Sequence, residues 1–278
     1  MLQPGPNGQG IAVLIALGIL EKLNINAFLP DSSEALHLQI EALKLAFADV
    51  QRYLSDPASM ELSAQDLLSH DYLESRSRLV DMKRAGLPGP GLPLKGGTVH
   101  VAVGDENGLC VSLIQSNFVG FGSGVVVPGT GISLQNRASG FTLEPSHPNH
   151  AAAGKRPFHT ITPGMVLRDG KPVLALGVTG GNMQPQGQVQ LLNRMLGCGQ
   201  NPQTAIDAPR FRITAGRAMN LEPAVPDAVK QALLELGHQV EPLPSGYMDF
   251  GCAQAVSRLG ACWVGGADAR KDGTVAGY

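Results

Sequence analysis

One threonine stands where a nucleophile and its base could share a single residue. In Lys95-Gly96-Gly97-Thr98-Val99-His100, a Pro/Gly-rich stretch (85–97) runs straight into an alternating apolar run. If the Gly97–Thr98 peptide bond is severed, Thr98 carries a free α-amine beside its own hydroxyl. An α-amine titrates near about 8 and can take the hydroxyl proton, so no catalytic histidine is required. By spacing alone, Thr98 reads first as a β-branched residue opening a strand. A second candidate is Gly177-Val178-Thr179-Gly180-Gly181, a strand entering a di-glycine turn ahead of a helix. Successive backbone N–H groups at a helix N-terminus form an anion site and can hold the oxyanion of a tetrahedral intermediate. The same glycines also suit a turn that needs positive φ.

Other polar clusters read as turn networks: Gln115-Ser116-Asn117, Gln135-Asn136-Arg137 and the run Lys155 to Thr160. His147 and His150 have metal-pair spacing but no third ligand nearby, so a surface loop is expected. His37, His70 and His238 read as structural. No G-x-S-x-G or S-x-x-K motif is present, nor a phosphate loop with GK[ST]. Cys110, Cys198, Cys252 and Cys262 form no C-x-x-C pair and are expected as thiols, which tips localisation toward the cytoplasm.

The elements that must hold these groups follow from periodicity. The apolar run Ile11–Leu20 reads as a buried helix, too short to span a bilayer. Asp31-Ser32-Ser33 offers caps for a second helix, whose Leu36, Ile40, Leu43, Phe47, Val50 and Leu54 make one apolar stripe. A third, polar helix is expected over 64–84, and then an exposed, mobile linker over 85–97. Two hairpins follow, 98–103 with 109–117 and 165–168 with 172–178; Asp169-Gly170 is the turn of the second. A helix with Val189, Leu192, Met195 and Leu196 on one face stops at Gly197. Another spans 224–236, and a last hairpin pairs 253–258 with 261–265. The order predicts an α+β layered fold with mainly antiparallel sheets.

Composition excludes other classes. Lys+Arg 21 against Asp+Glu 23 leaves no basic footprint for nucleic acid, and 5% aromatics leave little for base stacking. With 43% hydrophobic residues the chain can bury a core and is not disordered. No membrane partner is expected.

Thr98-Val99-His100 at the start of a strand resembles the opening of the small subunit in the γ-glutamyltransferase family of N-terminal-nucleophile hydrolases. Also similar are FGSG (Phe121–Gly124), LQN (Leu134–Asn136), KRP (Lys155–Pro157), the di-glycine, APRF (Ala208–Phe211) and TVAGY (Thr274–Tyr278). Upstream, PNGQG, ALKLAFAD and YLSDP resemble the end of the large subunit. The resemblance implies an αββα sandwich, cut before Thr98 into a large-subunit part, 1–97, and a catalytic small subunit, 98–278. It implies Thr98 as nucleophile, Ser116 in the place of a threonine that hydrogen-bonds the new amine, and Gly180 and Gly181 as oxyanion donors. No metal or organic cofactor is implied.

The same resemblance places the substrate-binding residues. His159 and Thr160 stand where transpeptidases carry a Ser-Ser pair holding the substrate carboxylate, and Phe118 stands for an asparagine. Arg137 replaces a glutamine, and Gly140 replaces an aspartate that receives the α-ammonium. A buried ammonium needs an anionic partner, which Gly140 cannot supply, and Arg137 would attract a carboxylate instead. The expected substrate is therefore a small acidic amide without an α-amino group, as in the oxamate amidohydrolase and cephalosporin acylase branches that QSNFVGFGSG resembles. Family precursors are about twice as long, so the chain is expected to need the missing large-subunit region or a partner chain. The alternative is an inactive remnant that only binds or packs against a partner.

Overall fold

The computed structural model describes residues 1–88, 97–243 and 250–277. Helix α1 (Gly10–Lys22) is apolar on nearly every side and lies inside the molecule, with Ile15 and Ile19 fully buried. Helix α2 (Ser33–Tyr53) starts where the Ser32 hydroxyl accepts the Ala35 N–H at 3.1 Å. It packs on α1, and its Leu38, Ala42 and Leu43 are buried in the shared core. The expected polar helix is two short ones, α3 (Ala64–Leu67) and α4 (His70–Ser77), because a capping box at Ser63 starts one and Ser69 interrupts the chain before the next. Gly18 lets α4 approach α1: a Cβ there would fall 2.6 Å from Leu73 Cδ1.

The expected linker is corrected at its start. Ala85 is buried and its N–H donates to Leu236 O at 2.6 Å, while Gly86 is clasped by Glu41 and Lys44. Residues 89–96 of that stretch lie outside the described residues.

Strands β1 (Gly97–Gly104) and β2 (Cys110–Phe118) form the first hairpin. Strands β3 (Gly164–Arg168) and β4 (Lys171–Val178) form the second, turning at Asp169 and Gly170, both at positive φ. Helix α5 (Met183–Leu192) continues into one π-helical turn, Asn193–Gly197. That change of period corrects the expected stripe: Val189, Leu192 and Met195 are buried but Leu196 is exposed.

Beyond lie α6 (Pro202–Asp207), β5 (Phe211–Ala215), β6 (Ala218–Leu221), α7 (Asp227–Glu235), β7 (Gln239–Val240), β8 (Ala253–Leu259) and β9 (Cys262–Ala267). β5, β6 and β7 make a small sheet in which β6 and β7 run parallel.

The order β3-β4-β8-β9 gives a four-stranded antiparallel sheet. Val178 on one face meets α5 at Gly187, and Gly177 on the other meets His100 of β1. The layers are therefore helices, four-stranded sheet, then the β1–β2 hairpin: an α+β layered fold in the order expected of the αββα sandwich, with no helical layer over the hairpin's far face among the described residues. The hairpin's far face carries Val99, Val101, Val103, Val111 and Leu113, all exposed. One continuous core joins α1 and α2 to Leu174, Leu176, Val178, Val189 and Ala255. Each fully buried Leu or Val side chain there contributes about 1.5–3 kcal/mol.

Candidate active site

Thr98 is half-buried near the start of β1, on the inward face that also carries the buried His100. The ladder slips here. Gly97 pairs with Phe118 but Val99 pairs with Gln115, so Ser116 and Asn117 together oppose Thr98. Such a bulge re-aims side chains at the end of a strand. The direction of β1 across the sheet is set by two contacts. Gly104 lies under Trp263, whose indole donates to Asp105 O at 2.8 Å, and His100 lies on Gly177. Trp263 pairs with Arg258 of β8, beyond the Leu174↔Ser257 pair and toward the start of β4. The beginning of β1 therefore points to the end of β4, where Gly180 and Gly181 stand. His100 itself closes a chain: its Nε2–H donates to Ser112 Oγ (2.9 Å), which donates to Leu176 O (3.0 Å). Burial depresses its pKa to about 4, so it stays neutral.

Phe118 ends β2 with φ +81, uncommon for a bulky residue, and its ring is buried. The Arg137 guanidinium carbon lies 5.7 Å from the centre of that ring. Arg137 Nη2 donates to Ser116 O (3.0 Å) and Oγ (2.5 Å), while Nη1 is buried with no partner among the described residues. The preceding Asn136 stitches this segment to the strand end: its N–H donates to Asn117 O, and its Oδ1 accepts the Val119 N–H. His159 is close enough to feel Arg137. Burial, then that charge, lower its pKa to about 4.

The di-glycine turn has φ +107 at Gly180 and +59 at Gly181. Their carbonyls accept the Met183 and Gln184 N–H groups of the first turn of α5, and their own N–H groups have no acceptor among the described residues. Thr179 anchors the turn, exchanging hydrogen bonds with Cys252 through its N–H and hydroxyl. Gln9, fully buried, donates from Nε2 to Thr160 O (2.8 Å) and Gly181 O (2.9 Å). The Gln9 N–H donates to His159 O, and His159 N–H to Asn7 O. The upstream PNGQG segment thus splints the 159–160 and 180–181 segments together.

Chemically, the arrangement offers a hydroxyl at a strand end, unpaired N–H groups at the same end of the facing strand, and a guanidinium with a spare N–H pair behind the bulge.

A scan against family models matches residues 1–278 to gamma-glutamyltranspeptidase. The chain belongs to the gamma-glutamyltranspeptidase family. Among curated relatives it is 38% identical, over 98% of its own length, to an oxamate amidohydrolase proenzyme of Klebsiella pneumoniae. It is 36% identical, over 99%, to a glutathione hydrolase-like proenzyme of Bacillus subtilis. It spans about half of each, 52% and 53%. Among solved structures, a cephalosporin acylase from Bacillus halodurans superimposes with TM-score 0.89 at 41% identity, covering 99% of this chain and 50% of that one.

In this member of the family, Ser116, Phe118 and Arg137 gather at the Thr98 bulge, His159 lies within range of the Arg137 charge, and Thr160 is tied through Gln9 to Gly181. Gly140 presses its backbone on Phe158; a Cβ there would lie 2.5 Å from Phe158 O. The HPNH loop is not free at the surface. His147 Nε2 donates to Gln51 O (2.9 Å), and the buried Asn149 bridges Gly140 O and the Phe158 N–H. APRF is structural: Arg210, buried, pairs with Asp268 at 2.8 Å and donates to Ile206 O and Phe250 O.

Sequence reasoning missed Gln9, whose only signal was a polar residue beside an apolar helix. It also missed that His37, Glu41 and His238 converge. They are the one metal-ligand-type trio among the described residues. His37 Nδ1 accepts from His238 Nε2 at 2.8 Å and its Nε2–H donates to Asp81 O. The Lys44 ammonium, 2.5 Å from Glu41 Oε1, fills the cationic role.

Proposed function

We propose that this chain is the nucleophile-bearing part of an amidohydrolase that is cut before Thr98 and acts on small acidic amides through an acyl-threonine intermediate. The observation that carries the substrate class is Arg137: half-buried, seated on Ser116 across from Thr98, with a buried N–H pair unspent. A desolvated guanidinium of this kind favours a carboxylate. The α-ammonium of a γ-glutamyl donor would find no carboxylate at Gly140. The name of one relative, oxamate amidohydrolase, agrees with an acyl donor of that kind.

Hydrolysis of the Gly97–Thr98 bond frees the Thr98 amine. The amine accepts the proton of Oγ1 as that oxygen attacks the amide carbonyl. The Gly180 and Gly181 N–H groups receive the oxyanion, at the end of the four-stranded sheet toward which the start of β1 is directed. Collapse expels the leaving amine with the proton, and water then hydrolyses the ester. His159 and Thr160 line the carboxylate side with Arg137. The neutral imidazole contributes hydrogen bonding there rather than charge.

The exposed apolar face of the β1–β2 hairpin asks for a covering layer. The preceding half of a family precursor, or a partner chain carrying it, would supply that layer.

Intact mass and a denaturing gel test the reading. Wild type yields the pieces 1–97 and 98–278, Thr98→Ala stays whole, and the processed protein turns over oxamate or glutaryl-p-nitroanilide above γ-glutamyl-p-nitroanilide. A chain never cut, with or without the complementary half, is the inactive remnant instead. Fast γ-glutamyl turnover with none of the acidic amides overturns the substrate class.

A further inference from the structure

Gln9 has an unspent atom. Both groups that its side-chain amide touches, Thr160 O and Gly181 O, are carbonyl oxygens, so the end facing them must be Nε2. Oε1 is thereby fixed at the other end. It is buried and meets no donor among the described residues. Leaving a buried acceptor unsatisfied costs about 1–3 kcal/mol, so such an atom calls for a ligand or water to meet it.

Gln9 lines a cavity of about 400 Å³. The cavity lies between the two halves of the site. Ser139 and Gly140, from the turn that begins at Arg137, form part of one wall, and Asn182, next to Gly181, forms part of another. The rest is mixed: Phe47 and Val50 of α2, Leu54 just after it, Phe141 and Phe158 give most of its surface, and Gln51, Thr142, Glu144, His147 and Asn149 complete the wall. Arg137, His159 and Thr160 do not line it, so it is separate from the carboxylate side. Gly140 sits at this wall with its backbone close against Phe158 O.

We propose that this cavity is a second subsite for the uncharged, apolar portion of the amide substrate, with Gln9 Oε1 accepting a hydrogen bond from an N–H on that portion. The inference rests on the amidohydrolase reading for the identity of the ligand, while its test rests on binding alone. An apolar group of phenyl size fits a pocket of this volume, and one well-placed acceptor fixes its orientation.

The test uses Thr98→Ala, which cannot turn over ligand, and two probes of nearly equal shape: phenylacetamide and methyl phenylacetate. Binding is read by calorimetry and by ligand-detected NMR. Phenylacetamide is expected to bind about tenfold more tightly than the ester, the value of one satisfied buried acceptor. Gln9→Met is expected to erase that ratio while leaving ester affinity in place. Leu54→Trp, or Val50→Phe if the first unfolds, fills the cavity and abolishes binding of both. Equal affinity for the two probes, or no binding of either, overturns the proposal, and the probe pair decides this even if Gln9→Met fails to fold. A protein that cleaves acidic amides yet ignores both probes loses only the subsite. One that binds them as predicted yet never processes itself loses only the catalytic reading.

Discussion

His100 packs so tightly on Gly177 that a Cβ at position 177 would lie 2.3 Å from His100 Cδ2 and 2.5 Å from Nε2. This contact sets the spacing between the nucleophile hairpin and the four-stranded sheet. Gly177→Ala is therefore expected to destabilise by about 1–3 kcal/mol, the range for overpacking a core. Urea denaturation measures it. His100→Ala in the same background should recover part of the loss, and additive losses would show that the two residues do not meet.

Arg137 carries the charge preference. Arg137→Lys keeps the charge but loses the planar fork on Ser116, and is expected to cut kcat/KM for an acidic amide by about 10- to 100-fold. Gly140→Asp alone is expected not to create a γ-glutamyl hydrolase, because its Cβ collides with Phe158 O; stability falls instead. Paired assays on the two acyl donors, with melting curves, check both. Efficient γ-glutamyl turnover by Gly140→Asp would mean the 140 backbone relaxes freely.

Stability should depend on pH through buried neutral histidines. His100 and His159 titrate at about 4 and His238 at about 3, all below the ordinary 6.5, with burial the largest cause. The unfolded chain takes up these protons first as pH falls below 6.5. Stability is thus complete above that value and drains away toward pH 4, by about 3 kcal/mol for His100 alone. Urea midpoints between pH 4 and 7.5 should show this slope, and His100→Asn should flatten it by one proton. An unchanged slope would assign the proton uptake elsewhere.

The Glu41–Lys44 pair is almost fully buried beneath Gly86. Lys44→Met leaves a carboxylate without its counter-ion and is expected to cost about 3–5 kcal/mol. Adding Glu41→Gln should restore much of it, as read by chemical denaturation. A double variant no better than the single one would place the cost in packing.

The parts of the fold governed by local pattern were legible. Alternation marked β1 and β2, Asp169-Gly170 marked the second hairpin, and Ser32 capped α2 as expected. What was hidden depended on tertiary partners. β5 to β7 are short strands held against α5 by the Gln186 and Gln190 side chains, which hydrogen-bond the β5 backbone. Ala85 looked like linker because nothing local announces that Glu41 and Lys44 wait for the next residue's backbone. Around the site, Thr98 and the di-glycine stood out by type and spacing. Gln9 did not, since its meaning lies in two carbonyls more than 150 positions away.

The core runs without interruption from α1 and α2, upstream of position 98, into β4, β8 and α5 downstream of it. Scission between Gly97 and Thr98 would cross none of that packing. The two polypeptides would stay married as one particle through gel filtration and native electrophoresis, parting only when detergent or urea dissolves their common interior.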